Sequence, residues 1–242
     1  MTRLACIQVY FICISIVIGQ ELPSAQEVLD EIRLNYYAVE DYEVDIQVSM
    51  SMPGLRIPGK KVHYYYKYPD KSHMEAEGFA VLPKGNILPL DQVLLEDSLD
   101  VEVVDQITLG DRLTWEMIIS DSLIGRDIKM HIWVDQRTGV VLQSIAKWDT
   151  TSVMSAYFHY KRIDDIAYLP VKTDIELRMP PQFRDLQILG HNPLDARNLS
   201  QELKDNKDWV DGSISLEFSN YRVNRGLPDD LFPKEEEKEK VE

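Results

Sequence analysis

A regular alternation of apolar and polar residues is the feature that most constrains the fold of this 242-residue chain. From Tyr42 to Met50, every even position is apolar and every odd position is polar. A period of two places successive side chains on opposite faces of a β-strand. The segment therefore predicts a strand with one buried face and one solvated face.

Similar patterns recur along most of the chain. Residues 62–67 alternate in the same way, and Pro69-Asp70 predicts a turn into a strand over Ser72–Phe79. Asp135–Gly139 predicts a hairpin loop. The other predicted strands are 113–120, 127–134, 140–148, 152–163, 169–177 and 213–221. About nine to eleven antiparallel strands are expected in total. Because no strand–helix–strand alternation occurs, a parallel nucleotide-binding sheet is not expected.

One helix is predicted before the first strand. Ser24 suits the N-cap position, and Glu27 completes a capping box. An apolar stripe then gives the helix one face to bury, and the helix should run from about Ala25 to Ala38. The stripe consists of Val28, Leu29, Ile32 and Tyr36.

Three further segments set the domain organisation. Residues 1–19 have a basic residue, an apolar run and a small-residue end, which is typical of a secretory signal peptide; an uncleaved membrane anchor is the alternative. Residues 20–233 are predicted to form one domain, and residues 234–242 a disordered charged tail. Both cysteines lie in the signal segment, so the mature protein would contain no disulfide.

Two stretches of the predicted domain lack a clear period. Val81–Leu99 contains prolines and clustered leucines and suggests a short helix or a folded loop. Met179–Asp211 is a long irregular insertion. A loop of that length in a compact domain is usually a functional lid or a disordered excursion.

The charge balance excludes some partners. The chain has 41 acidic and 26 basic residues, a formal net charge of −15. Nucleic acid is not an expected partner, because phosphate binding requires a cationic surface. Unaided adsorption to an anionic membrane is also disfavoured. An acidic surface suits a soluble carrier, or a protein that docks on a basic partner.

The sequence contains no recognisable catalytic motif. It lacks a nucleophile elbow, a phosphate-binding loop and a metalloprotease helix, so no enzyme activity and no cofactor are predicted. His63, His73, Glu75 and Glu77 could converge on a metal ion, but a hydrophilic outer sheet face is the favoured interpretation. Asp164-Asp165 and the later Asp-Asp pair at 229–230 are interpreted as turn residues.

Methionine and aromatic residues are spread over the predicted strands and suggest an adaptable apolar sheet face. A helix of four turns covers only part of such a sheet. The remainder must be shielded by long loops, close on itself or hold an apolar ligand. The residues concerned include Met50, Met52, Met74, Met117, Met130, Met154, Met179, Tyr42, Tyr64, Tyr66, Trp115, Trp133, Trp148, Tyr157 and Phe158.

The order of several motifs resembles a known family. Ala25–Asp30 lies in the helix, Pro53–Lys60 follows the first strand, Tyr65–Lys71 ends the second, and Ile214–Phe232 closes the domain. In this order and spacing the chain resembles outer-membrane lipoprotein-sorting proteins of the LolA/LolB-like type, to which the N-terminal domain of RseB/MucB-type periplasmic regulators is related.

The resemblance implies a mainly β (α+β) fold, a curved and incomplete antiparallel β-barrel whose concave face is plugged by helices. It implies a monomeric periplasmic carrier of lipids or acylated lipoproteins. The implied lipid-binding residues are Tyr42, Val44, Ile46, Val48, Met50, Leu55, Ile57, Val62, Tyr64, Tyr66, Trp115, Met117, Met130, Ile132 and Phe158. Arg56 and Arg112 are candidates, by location, for the arginine of the family's cavity. The alternative is a periplasmic sensor that binds a basic protein partner or a membrane receptor through the same face.

Overall fold

The computed structural model describes residues 21–51, 59–76, 100–120, 128–179 and 209–232. The predicted signal peptide, the charged tail, the segment Val81–Leu99 and the candidate residues Leu55 and Ile57 lie outside these ranges.

One α-helix and ten β-strands form the described part of the chain. Their bounds are α1 Ala25–Tyr37, β1 Asp41–Ser51, β2 Lys60–Lys67, β3 Lys71–Ala76, β4 Val101–Leu109, β5 Arg112–Ile119, β6 Ile128–Asp135, β7 Val141–Trp148, β8 Thr151–Ile163, β9 Ala167–Met179 and β10 Val210–Val223. A short 3-10 helix, Asp229–Leu231, follows the last strand.

The ten strands form one antiparallel sheet in the order β3-β2-β1-β10-β9-β8-β7-β6-β5-β4. The last strand therefore lies between β1 and β9, while β3 and β4 stand at the two ends of this order. The sheet is curved and does not close on itself. The predicted fold class, an incomplete antiparallel β-barrel, is confirmed.

Helix α1 begins as its capping box predicts. The Ser24 hydroxyl accepts a hydrogen bond from the Glu27 backbone N–H at 3.3 Å, and the Glu27 carboxylate accepts one from the Ser24 N–H at 2.8 Å. These contacts satisfy N–H groups that have no partner inside the helix. Val28, Leu29 and Ile32 are buried, so the predicted apolar stripe is the packing face.

Strand β4 is an element that the sequence did not predict. We expected strands to resume only at Leu113, but β4 already pairs with β5 from Val101 onward. The register shifts between Val103 and Asp105, so Val104 is an extra residue in the ladder. A β-bulge of this kind breaks the period of two on which the prediction depended.

The ends of the predicted insertion Met179–Asp211 are also corrected. Met179 is the last residue of β9, while Val210 and Asp211 begin β10. These residues pair across the two strands, Val210 with Met179 and Asp211 with Arg178. The residues between 180 and 208 lie outside the described part of the chain.

Buried Asp41 anchors the segment that follows β10. Its carboxylate accepts hydrogen bonds from the backbone N–H groups of Arg225, Gly226 and Leu227 at 2.9, 2.9 and 3.1 Å. Because Asp41 begins β1, this contact fixes the end of the domain to its first strand.

Candidate functional site: the inner face of the sheet

The register brings alternate residues of all ten strands to one face. A single row of paired residues crosses eight of them, from β1 to β4. The row is Met50, Ile214, Ile175, Ala156, Ser144, Ile132, Met117 and Val103. We call the face that carries this row the inner face and the opposite one the outer face.

Helix α1 packs on one half of the inner face. Val28, Leu29 and Ile32 form a cluster with residues from β5, β6 and β7, with β4 at its margin. The strand members of this first cluster are Met117, Ile119, Met130, Ile132, Val134 and Val141. This half is a helix-on-sheet core.

The other half carries a second apolar cluster, built from β1, β2, β9 and β10. Its buried members are Val44, Ile46, Val48, Val62, Tyr64, Leu177, Ile214, Leu216 and Phe218. Half-buried residues surround them, among them Met50, Met74, Met154 and Ile175. Among the described residues, the second cluster consists of strand residues alone, whereas the first includes α1.

The second cluster is aromatic toward the start of β1. The Tyr42 ring lies 6.0 Å from the Tyr64 ring, 5.3 Å from Tyr66 and 5.8 Å from Tyr221. The Tyr66 and Tyr221 hydroxyls donate to backbone carbonyls, so these rings present their apolar surface to the face. Toward the other end of β1, methionine and aliphatic residues replace the aromatic ones.

Thirteen of the fifteen candidate lipid-binding residues lie in the described ranges, and the register brings all thirteen to the inner face. Eight belong to the second cluster or its margin: Tyr42, Val44, Ile46, Val48, Met50, Val62, Tyr64 and Tyr66. The other five pack in or against the first cluster: Trp115, Met117, Met130, Ile132 and Phe158. Their role in lipid binding stays a prediction.

Two aromatic residues expected on the apolar face are on the outer face instead. Trp133 pairs with Glu116 and Gln143, and Tyr157 pairs with Gln143 and Asp174. Neighbouring residues of a strand point to opposite faces of the sheet, so a shift of one residue moves a side chain to the other face. The aromatic character of a residue alone does not show which face it lies on. Arg112 is also on the outer side, where it forms an ion pair with Asp135 at 3.0 Å.

Four buried members of the second cluster were not among the candidates, namely Leu177, Ile214, Leu216 and Phe218, with Ile175 beside them. The alternation within residues 213–221 was a usable signal for three of them, Ile214, Leu216 and Phe218. Membership of one site depends, however, on β10 pairing with β1, a contact between the two ends of the domain. No local pattern specifies that pairing.

The outer face near β1 is polar and charged. His63 Nδ1 lies 2.8 Å from Asp45 Oδ1, and His63 Nε2 lies 3.3 Å from Glu43 Oε2. Asp45 also accepts from Asn220 at 2.8 Å and pairs with Lys61 at 3.0 Å. Hydrogen bonds from Asn220, His63 and Lys61 hold the pKa of Asp45 well below its ordinary value.

His73 lies near this group without joining it in a metal site. Its ring is 5.9 Å from the Tyr65 ring, and Glu77 lies outside the described residues. No group of three or more His, Cys, Asp or Glu residues arranged to hold a metal ion occurs within the described ranges.

Within the same ranges, no helix has the length and apolar character needed to cross a membrane.

Solved structures with the same architecture exist. A LolA superfamily protein from Nitrosomonas europaea aligns with a TM-score of 0.56 at 11% identity and covers 89% of this chain and 100% of its own. A putative outer membrane lipoprotein-sorting protein domain from Vibrio parahaemolyticus gives 0.52 at 9% identity, over 85% and 96%. The fold is LolA-like. The resemblance found in the sequence is thus confirmed at the level of the fold.

A DUF1329 family protein from Desulfovibrio piger has the same LolA-like fold, with a TM-score of 0.57 at 12% identity over 88% of this chain and 98% of its own. No protein-family model matches the sequence. No curated protein matches it significantly either.

Proposed function

We propose that this chain is a periplasmic lipid-binding carrier that holds acyl chains against the second cluster of the inner face. One observation carries the proposal. The apolar inner face continues across ten strands, while α1, the described α-helix, joins the cluster on one half only. When the protein's own helices pack on only part of an extended apolar face, the remaining part can serve as a binding site for an apolar ligand.

The composition of the second cluster supports an acyl ligand. Half-buried Met50, Met74 and Met154 have flexible, polarizable side chains that adapt to chains of different shape. The nearby Tyr66 and Tyr221 rings add apolar surface to the cluster, because their hydroxyls already donate to backbone carbonyls. Both favour a long hydrocarbon over a polar ligand.

The fold and the sequence support the location and the carrier role. A LolA-like fold occurs in a domain described as a putative outer membrane lipoprotein-sorting protein. The N-terminal 19 residues have the pattern of a secretory signal peptide. We infer that the chain acts in the periplasm as a binding protein rather than an enzyme, with lipids or acylated lipoproteins as cargo.

The test is lipid uptake by matched variants on opposite faces of one strand. Met154→Asp puts a carboxylate on the inner face, and Ser155→Asp puts the same group on the outer face next to it. Burying a charge against a hydrocarbon is unfavourable, so Met154→Asp should bind a fluorescent acyl phospholipid at least about tenfold more weakly. Ser155→Asp should bind like the unmodified chain.

A second pair on β1, Met50→Asp and Ser51→Asp, repeats the comparison if Met154→Asp does not fold. Circular dichroism verifies folding, and native mass spectrometry after mild purification detects lipid carried from the cell. A delipidated, folded protein that takes up no lipid would contradict the proposal. So would equal uptake by the inner-face and outer-face variants.

The alternative role, binding of a protein partner through the same face, gives a different result. One protein would then co-purify in stoichiometric amount, and added lipid would not compete with it. The inner-face variants would lose that partner while uptake of the acyl probe would be absent from every variant.

A further inference from the structure

Thr173 is a polar residue in the middle of the apolar inner face. It lies on β9, where its Cα partners are Leu216 on β10 and Phe158 on β8. Leu216 belongs to the second cluster, and Phe158 packs against the first. Thr173 therefore stands at the boundary between the half that α1 packs on and the half proposed to bind acyl chains.

The Thr173 hydroxyl is buried and unsatisfied. The residue is 1% exposed, and its Oγ1 atom has no hydrogen-bond partner. A buried hydroxyl normally finds a partner, because removing it from water without one is unfavourable. Valine has nearly the same shape and would avoid that cost at this position.

Thr114 is an internal comparison. It is 0% exposed, and its Oγ1 donates to the backbone carbonyl of Ile107 at 2.7 Å. The register places Thr114 on the outer face, between Ile107 and Asp135. The described ranges thus include two equally buried threonines, one whose hydroxyl bonds to the protein's backbone and one whose hydroxyl does not.

We propose that Thr173 Oγ1 donates a hydrogen bond to the ester carbonyl of a bound acyl chain, so that the site selects acyl esters. This inference rests on the proposed function. The neighbours of Thr173 on this face are apolar, among them Leu216, Phe158 and Ile175, so the ligand around it is mainly hydrocarbon. An ester carbonyl is a neutral acceptor attached directly to an acyl chain.

A charged headgroup fits the same position poorly. A single neutral hydroxyl does not offset the burial of a phosphate or carboxylate, whereas it fully satisfies one carbonyl lone pair. The inferred ligand class is therefore an ester-linked acyl chain, whether it belongs to a free phospholipid or to a lipid-modified protein.

The test compares ester and ether phospholipids that have the same chains and headgroup, bound to the unmodified chain and to Thr173→Val. Only the ester lipid has the carbonyl. We expect the unmodified chain to prefer the ester by about three- to tenfold, the range of one net hydrogen bond. Thr173→Val should bind the two lipids equally, with unchanged affinity for the ether.

Stability supplies the second measurement. Thr173→Val without ligand should unfold at the same temperature as the unmodified chain or higher, because it removes an unsatisfied hydroxyl. The control Thr114→Val should unfold at a lower temperature, because it leaves the Ile107 carbonyl without its donor. Thr114→Val should nevertheless keep the ester preference.

Three results would overturn the inference. Equal binding of ester and ether by the unmodified chain, or an ester preference that survives in Thr173→Val, would remove the role of Thr173 and leave acyl binding intact. Failure of the unmodified chain to bind either lipid would remove both proposals. A competition experiment between a diacylglyceryl lipopeptide and the ester phospholipid then distinguishes a lipid-modified protein from a free phospholipid as the source of the acyl ester. The ligand that displaces the other at lower concentration is the preferred source.

Discussion

His63 illustrates how single residues tie distant strands together on the outer face. It contacts Asp45 and Glu43 of β1, while Glu43 accepts from Arg222 of β10 at 2.9 Å. Asp45 accepts from Asn220 of the same last strand. The network therefore spans β2, β1 and β10 and supports the pairing that assembles the second cluster on the opposite face.

The same contacts predict a pH dependence of stability. Burial lowers the pKa of His63, but hydrogen bonds to Asp45 and Glu43 outweigh it, so the pKa lies above its ordinary value. Protonated His63 therefore stabilises the fold fully below about pH 6.5, and this contribution is lost as pH rises through the folded-state pKa. Asp45 stays ionised in that window, because its pKa is lowered.

The expected result is a melting temperature that falls between pH 6 and pH 9 more steeply in the unmodified chain than in His63→Gln. His73→Gln is the control, because its ring lies 3.8 Å from a single carboxylate, that of Glu75. It should retain the steeper slope. Identical profiles for His63→Gln and the unmodified chain would contradict this assignment.

At the scale of elements, the β6–β7 hairpin is fitted closely against α1. Asp135 Oδ1 accepts from the backbone N–H groups of Arg137 and Thr138, which forms the turn that the sequence predicted. Gly139 has a positive φ of 66°, and a Cβ built there would lie 2.8 Å from the Glu31 backbone oxygen of the helix. Any larger residue must displace the hairpin or the helix.

Two glycine-to-alanine substitutions distinguish the cost of backbone strain from the cost of the close contact between Gly139 and α1. Gly110 has a φ of 65° with nothing within 4 Å of an added Cβ, so Gly110→Ala should cost only about 1–2 kcal/mol of conformational strain. Gly139→Ala should cost about 1–3 kcal/mol more, because the methyl group meets helix backbone. Chemical denaturation measures both, and equal losses would show that the helix contact is unimportant.

A bulge accounts for the one described strand that the sequence did not predict. The alternation of apolar and polar residues is uninterrupted in β1 from Tyr42 to Met50 and in β2 over residues 62–67. Both strands were predicted and are present in the structure. In β4 the extra residue Val104 shifts the pattern, so that Gln106 instead of Asp105 follows Val103 on the inner face. A single-residue insertion in the ladder thus hid a complete strand from a period-two analysis.

At the scale of the molecule, the acyl ligand should act as a stabiliser. A ligand that binds only the folded state raises the free energy of unfolding by about 2.7 kcal/mol at a hundredfold excess over Kd. For a domain of this length that corresponds to roughly 5–10 °C. A delipidated sample should therefore melt at higher temperature as phospholipid is added, and Met154→Asp should respond far less.

The control for this experiment is Ser155→Asp, which should show the full shift. A lipid-dependent shift of equal size in Met154→Asp and Ser155→Asp would place the ligand somewhere other than the second cluster. No shift in the unmodified chain, with the fold intact, would contradict binding to the native state.

Local information in the sequence determined the secondary structure of β1, β2 and α1 and the face on which their apolar residues lie. Alternation, capping and turn residues act between neighbours in the chain, so they can be identified without the fold. The motif order also indicated the LolA-like fold, and all thirteen described candidates proved to be on one face.

Only the tertiary structure decided how that face is divided. The pairing of β10 with β1 joins residues more than 160 positions apart, and it places Leu216 and Phe218 beside Val48 and Ile46. The packing of α1 on one half separates the two clusters. The unsatisfied hydroxyl of Thr173 exists because of the strands on either side of it, and contacts between distant residues leave no local pattern in the sequence.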